Sequence, residues 1–310
     1  MITRTNAEAL IPEQVSRQII QETTTRSIAL QLGNRMSDMV RKQVKMPVMT
    51  GTVSASFVNG DTGLKPTSFM TWDKVYITAE ELAVVVPIPE AVLDDADYDI
   101  FGEVRPRIVE AFAGAIDAAV FHGTNKPDSW PDGIVPGAIA AGKVKEVTGD
   151  LYQDINGEDG VIAMIEESGI SVTDYVGALQ LRAKLRGAVD ASGQPIFRMA
   201  YSNGTAGAMV YELNGSPVTF PENGALDGTK ALLLAGNFQY MRYAMRQDLT
   251  YKILDQATIT DADGKVILNL AQQDCVALRA VMRLGWALPR PVNVVSGTNY
   301  YPFAVLTPGT

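Results

Sequence analysis

The side chains that do chemistry most readily are imidazoles, thiols, clustered carboxylates and glycine-rich phosphate loops. This 310-residue chain has one histidine and one cysteine. No metal site needing two imidazoles or several thiolates can form within it, and no internal disulfide. His122 stands at the end of an apolar stretch, just before Gly123 and Thr124. A nucleophilic site would need a Ser or Cys beside that base, whereas a polar residue closing a helix suits the negative end of its dipole. The structural role is expected. Asp94, Asp95, Asp97 and Asp99 lie close enough in sequence to hold a cation. Aspartates ahead of a helical pattern also cap its free amides, and caps are expected here. The string from Gly224 to Lys230 has the wrong spacing for a phosphate loop and no apolar strand before it, so a turn is expected. Asp261, Asp263 and Gly264 suggest a calcium loop, but no glutamate follows at the bidentate position. Asp-Gly between Ile259 and Val266 to Leu268 predicts a hairpin turn instead. Cys275, in an alternating apolar segment, reads as a small core residue. We therefore expect no catalytic residue, no metal and no cofactor.

Composition narrows the partners. The chain carries 26 basic and 35 acidic residues, a net charge of −9, which argues against gripping nucleic acid by phosphate neutralisation. Arg35, Arg41, Lys42 and Lys45 form a local basic run, expected on a solvated or intersubunit face. The apolar stretch from Ala111 to Phe121 is too short for a membrane span and is interrupted by Asp117. The first ten residues lack the apolar core of a secretory signal, so the sequons at Asn203 and Asn214 are expected to be irrelevant. Charged residues make up 20%, below the usual quarter or so, a weak hint that much surface faces other protein.

The elements that must position these residues follow from periodicity. Residues 1–46 hold short amphipathic pieces and read as an extended arm. Residues 47–80 alternate through Val53, Ala55 and Phe57, turn at Asn59-Gly60-Asp61, and return through Phe69, Trp72, Val75 and Ile77. This predicts a long hairpin, which by itself is marginal and needs something to pack on. Leu82 to Ile88 reads as a buried strand. Ile100, Phe101, Val104, Ile108, Phe112, Ala115, Ile116, Ala119 and Val120 then recur at three- and four-residue steps, one face of a long helix. Pro106 should start its regular part or kink it near Gly102 to Arg105, and Gly123 should stop it. Helices are expected at Glu158 to Ser168 and Ala178 to Val189. Strands are expected at Val218 to Phe220, Ala231 to Ala235, Leu249 to Thr260 and Val266 to Ala287. The class is α+β, one long helix against sheet.

This order of elements resembles the major capsid proteins of tailed bacteriophages, whose shell fold is named for phage Hong Kong 97. The strings that carry it are Leu10-Ile11-Pro12, Met46-Pro47-Val48, the run from Val86 to Asp95, Phe121-His122-Gly123, Pro131 to Ile134, Leu179 to Arg186 with Asp190 to Pro195, Leu213 to Val218, Gly236-Asn237-Phe238, and Arg283 to Pro291. Each is weak alone, but their joint order over nearly the whole chain is specific.

The resemblance implies an N-terminal arm at 1–46 and an extended loop at 47–80. It implies a peripheral domain with the spine helix at 81–123 and 245–287, and an axial domain at 124–244 and 288–310. It implies a structural, non-enzymatic protein whose copies assemble through pentamers and hexamers into an icosahedral head around double-stranded DNA. Contacts of this kind are heterologous, so they propagate into rings and shells. Phe57, Lys65, Phe69 and Trp72 are the expected loop contacts, with Arg4, Ile11, Arg17 and Ile20 in the arm. The expected partners are further copies, a portal and a decoration protein, with no membrane. Assembly would take place in the host bacterial cytoplasm, ending in the virion. Two departures stand out. The sequence begins with Met1 directly before the arm, so scaffolding is expected from a separate protein. The position at which some relatives cross-link a loop lysine to an asparagine falls at or near Asp274, which lacks an amide, so Lys65 and Lys74 are not expected to cross-link. A shell for a bacterial nanocompartment housing a cargo enzyme is the alternative.

Overall fold

The computed structural model describes residues 26–58, 64–65, 67–95, 99–190, 192–201, 209–261, 263–290, 292 and 300–309. In chain order its helices are α1 (Ile28–Leu32), α2 (Glu90–Asp95), α3 (Ile100–Asp117), α4 (Ile134–Ala140), α5 (Leu151–Asn156), α6 (Val161–Glu166) and α7 (Leu179–Leu185). α3 continues into a π-helical turn, Ala118–His122, which Gly123 ends at φ 67°. The left-handed backbone there is the expected glycine stop. The stripe Ile108, Phe112, Ile116 and Val120 is buried along this helix. Pro106 sits on its exposed side, and the helix runs through it without a break.

Among the described residues, one sheet has the order β1 (Asn34–Arg35), β11 (Arg242–Leu254), β14 (Cys275–Ala287), β4 (Glu80–Pro89). A second runs β5 (Val144–Glu146), β15 (Phe303–Thr307), β10 (Leu233–Gly236), β6 (Asp174–Gly177), β9 (Ser216–Thr219), β8 (Met209–Leu213), β7 (Phe197–Tyr201). β2 (Gln43–Met49) pairs with β3 (Trp72–Thr78), and β12 (Thr258–Thr260) with β13 (Val266–Asn269).

The long helix is covered by both larger sheets. β14 supplies every second residue to this core, Leu278, Ala280, Met282, Leu284 and Trp286, as a period of two requires. The second sheet adds Val176, Leu234, Phe303 and Val305. Its opposite face, with Leu233, Ala235, Ala304 and Leu306, packs on Ile155, Ile165, Leu181 and Leu185 of α5 to α7. β10 and β15 are thus covered on both faces, which is why their sequences are continuously apolar rather than alternating. Each large aliphatic or aromatic side chain so buried contributes about 1.5–3 kcal/mol.

Several expectations change. The strand at 82–88 is covered on one face rather than buried: among the described residues β4 is an edge paired with β14 alone, Leu82, Val84 and Val86 pack half-buried on the main core, and Ile88 is buried. Pro87 and Pro89 suit an edge, where a missing N–H forfeits no ladder bond. The two long strands expected at 249–260 and 266–287 each divide. A bend at 255–257 separates β11 from β12, and turns at 270–274, with Asp274 at φ 45°, separate β13 from β14. The Asp261 to Gly264 hairpin turn is present, with the Asp261 carboxylate accepting from the Asp263 and Lys265 amides. The helices expected at 158–168 and 178–189 shorten to α6 and α7. α1, α4 and α5 are too short to show a period, although Asp150 caps α5 by accepting from Tyr152 and Gln153. Within the expected arm, residues 1–25 lie outside the described residues. The part from residue 26 is held on the body, with Ala29 and Leu30 in the main core and β1 parallel to β11.

β14 passes close to the root of the β2–β3 hairpin at Gly285. A Cβ there would stand 2.5 Å from the Thr78 carbonyl oxygen and 2.9 Å from Ile77 Cγ2. Backbone cannot yield as a side chain can. Gly285→Ala is therefore expected to cost about 1–3 kcal/mol, read as a lower urea midpoint with an unchanged slope.

Candidate functional site

The chemistry-bearing residues fall into structural roles. His122 Nε2 accepts from the Asp227 backbone N–H at 3.0 Å, so this nitrogen carries no proton. The ring is held neutral chiefly by burial, with Lys230 pushing its pKa further down and Asp227 opposing. His122 closes the helix as the expected polar residue, and it does so as a neutral acceptor. Asp99 occupies the N-cap of α3, but its carboxylate makes no capping bond. Asp94 and Asp95 close α2 instead of opening a helix, and Asp97 lies outside the described residues. Among the described residues no group of three His, Cys, Asp or Glu could hold a metal. Cys275 is buried at the start of β14. The basic run is divided: Arg35 pairs with Asp38 at 3.0 Å and Lys42 with Glu80 at 3.6 Å, both near the surface.

The surface that asks for an explanation is the hairpin. β2 and β3 pair in register from Gln43 opposite Thr78 to Met49 opposite Trp72. Past them, Thr50 donates its N–H to the Thr71 carbonyl at 3.0 Å and Ser54 its N–H to Ser68 Oγ at 2.9 Å. The root is anchored by a small cluster in which Ile77 and Ala79 meet Met39, Ala244 and Ala287. Val48 of β2 is still buried, but from Trp72 outward the large apolar side chains are bare among the described residues. Phe57, Leu64, Phe69 and Trp72 are 106%, 96%, 79% and 61% exposed, and Lys65 is exposed among them. Of the residues expected from sequence, Phe57, Lys65, Phe69 and Trp72 thus share one projecting segment. Arg4, Ile11, Arg17 and Ile20 lie outside the described residues.

Further exposed apolar side chains were not expected from the sequence. Ile253, Val266 and Ile267 are each more than half exposed on β11 and β13. The signal was present in Val266-Ile267, two adjacent apolar residues directly after a hairpin turn, where strict alternation would place only one on the covered face.

A well-filled core combined with large aromatics displayed on a projecting hairpin defines a subunit completed by other subunits, that is, a shell-building protein. The chain matches the Phage capsid family over residues 7–298. It is 28% identical over 270 residues to the major capsid protein of Staphylococcus phage 80alpha, covering 86% of this chain and 78% of that one. Solved structures from Microbacterium phage Oxtober96 and Mycobacterium phage Cain are similar throughout, at TM-scores of 0.77 and 0.76 and identities of 34% and 30%. The first covers 100% of both chains, and the second 100% of this chain and 99% of that one. The chain belongs to the Phage capsid family, with the Hong Kong 97-type fold and a structural role as major capsid protein.

The neutral His122 has a consequence for acid stability. Its pKa in the fold lies below the 6.5 of a free imidazole. As pH falls through 6.5 the unfolded chain takes up a proton that the fold refuses, so stability declines until the folded pKa is reached. Urea midpoints at pH 7.5 and 5.5 should show this loss in the native chain and a smaller one in His122→Gln, whose amide oxygen accepts without titrating. Equal losses would mean that the ring is not held neutral.

Proposed function

We propose that copies of this chain assemble through pentamers and hexamers into an icosahedral head enclosing double-stranded DNA. The observation that carries this reading is the uncovered hairpin. Four large apolar side chains held in water are a cost that burial against a neighbour would remove, at about 25 cal/mol per Å². Residues 47–80 act as the extended loop lying on an adjacent subunit, with Phe57, Phe69 and Trp72 as apolar anchors and Lys65 at the rim. The arm, through Arg4, Ile11, Arg17 and Ile20, reaches further subunits. Residues 81–123 and 245–287 form the peripheral domain, whose Ile253, Val266 and Ile267 add a contact between capsomers. Residues 124–244 and 288–310 form the axial domain around each capsomer centre.

A net charge of −9 suits a container that holds DNA without adhering to it, since acidic surface repels phosphate. The protein does no catalysis. Its other partners are a separate scaffolding protein, a portal and a decoration protein, and assembly takes place in the cytoplasm of the host bacterium. The matched family and relatives are phage capsids, which favours this reading over a nanocompartment shell.

The test is electron microscopy of the chain expressed with and without the neighbouring head genes, beside a variant lacking residues 54–70. The native chain should give rings of five and six or closed shells. The deletion should leave a folded subunit that stops at capsomers. Intact shells from the deletion would remove the loop from the assembly mechanism.

A further inference from the structure

Two fully buried polar residues, Ser27 and Asp117, meet at the junction where α3 becomes the π turn 118–122. Asp117, the last residue before that turn, is fully buried. Its carboxylate accepts four hydrogen bonds from two distant segments. Ser27 Oγ donates at 2.6 Å and the Ile28 and Ala29 amides at 3.2 and 3.0 Å, all from the N-terminal segment. Asn223 Nδ2 donates at 3.1 Å, and the same Asn223 accepts from the Ala225 amide through Oδ1. At the other end of the turn, His122 accepts from the Asp227 amide at 3.0 Å. Segment 223–227 is therefore fastened at both ends of the π turn, and the N-terminal segment is fastened to its first residue.

The π geometry is what makes this possible. Five residues along a regular α-helix advance by about 500°, leaving positions 117 and 122 roughly 140° apart on different faces. A π turn closes its hydrogen bonds from i to i+5, here from the Gly123 N–H to the Ala118 carbonyl, shared with Ala119. Residues five apart then come round to the same side, and both acceptors face one loop.

We infer that the π turn 118–122 is a two-point clamp: it persists because Asp117 and His122 hold segment 223–227 together, and it makes docking of residues 27–30 and of that segment a single equilibrium. Loss of either acceptor lets 118–122 relax toward a regular helix, swings the other acceptor away and releases both segments. In the assembly reading above, on which only its use depends, the clamp transmits a pull on the arm to the spine helix. The coupling itself belongs to the individual chain.

Hydrogen exchange on the full-length chain tests it, with protection read at amides that do not touch the substituted group. In Asp117→Asn, where an amide N–H₂ faces donors, protection of the remote Asp227 amide should fall about tenfold or more, the loss expected when a buried group loses its partner. In His122→Phe, protection of the remote Ile28 and Ala29 amides should fall likewise, and His122→Gln should restore it. Amides of β14 report global folding. If Asp117→Asn exposes those as well, Ser27→Ala takes its place, with the same loss expected at Asp227. Remote protection unchanged within twofold in His122→Phe, or lost equally in Phe and Gln variants, would overturn the clamp. Neither result depends on whether shells form.

Discussion

The two large sheets meet through the long helix at 100–122, whose apolar stripe both of them cover. Phe112, Ile116 and Val120 lie in the same core as Leu284 and Trp286 of one sheet and Phe303 and Val305 of the other. Close packing of this kind resists small displacements, so the sheets keep their relation only while the helix keeps its own. The four-stranded sheet carries the root of the hairpin at Gly285 and Thr78, and the seven-stranded sheet carries the helices α5 to α7 on its far side. A displacement of the helix is felt at both ends.

The surface follows a different rule from the core. Burial is nearly complete where one chain can supply it, and large apolar side chains are left bare where it cannot. A two-stranded ribbon has no second layer of its own, and among the described residues this one borrows a small cluster at its root and a backbone bond from Val292 to Met49. The edge of β4 shows the complementary device. One end of it is closed by Pro87 and Pro89, which cannot donate to an added strand, so edge pairing there is discouraged while side-chain contacts on the loop stay open. Bare aromatics at a defined place and a blunted strand edge together favour specific association over aggregation.

Much of this was legible in sequence because it rests on local periodicity. The three-and-four spacing from Ile100 to Val120 located the spine helix, Gly123 its end, the alternation around Trp72 and Ile77 the return strand of the hairpin, and Asp261 to Gly264 a tight turn. What escaped rests on contacts between residues far apart. β4 reads as buried because it is apolar, yet whether a strand is central or an edge depends on partners that its own residues do not name. The short helix at 28–32 shows no period over five residues, and its docking is fixed by a carboxylate nearly ninety positions away. Asp117 was visible only as a break in an apolar stretch.

That break is informative once the structure is known. A charge inside an apolar helix face is costly unless fully hydrogen-bonded, and burial does raise the Asp117 pKa, while its bonds to Ser27, Ala29, Asn223 and Ile28 counter the shift. A hydrophobic residue at 117 would add to the core without that cost, but it could not accept from an N-terminal segment and a distant loop together. His122 follows the same logic in its neutral form, using one nitrogen as an acceptor where catalysis would use it as a base. The residues best equipped for reaction chemistry serve here as fasteners between elements that hydrophobic packing alone would leave free to slide.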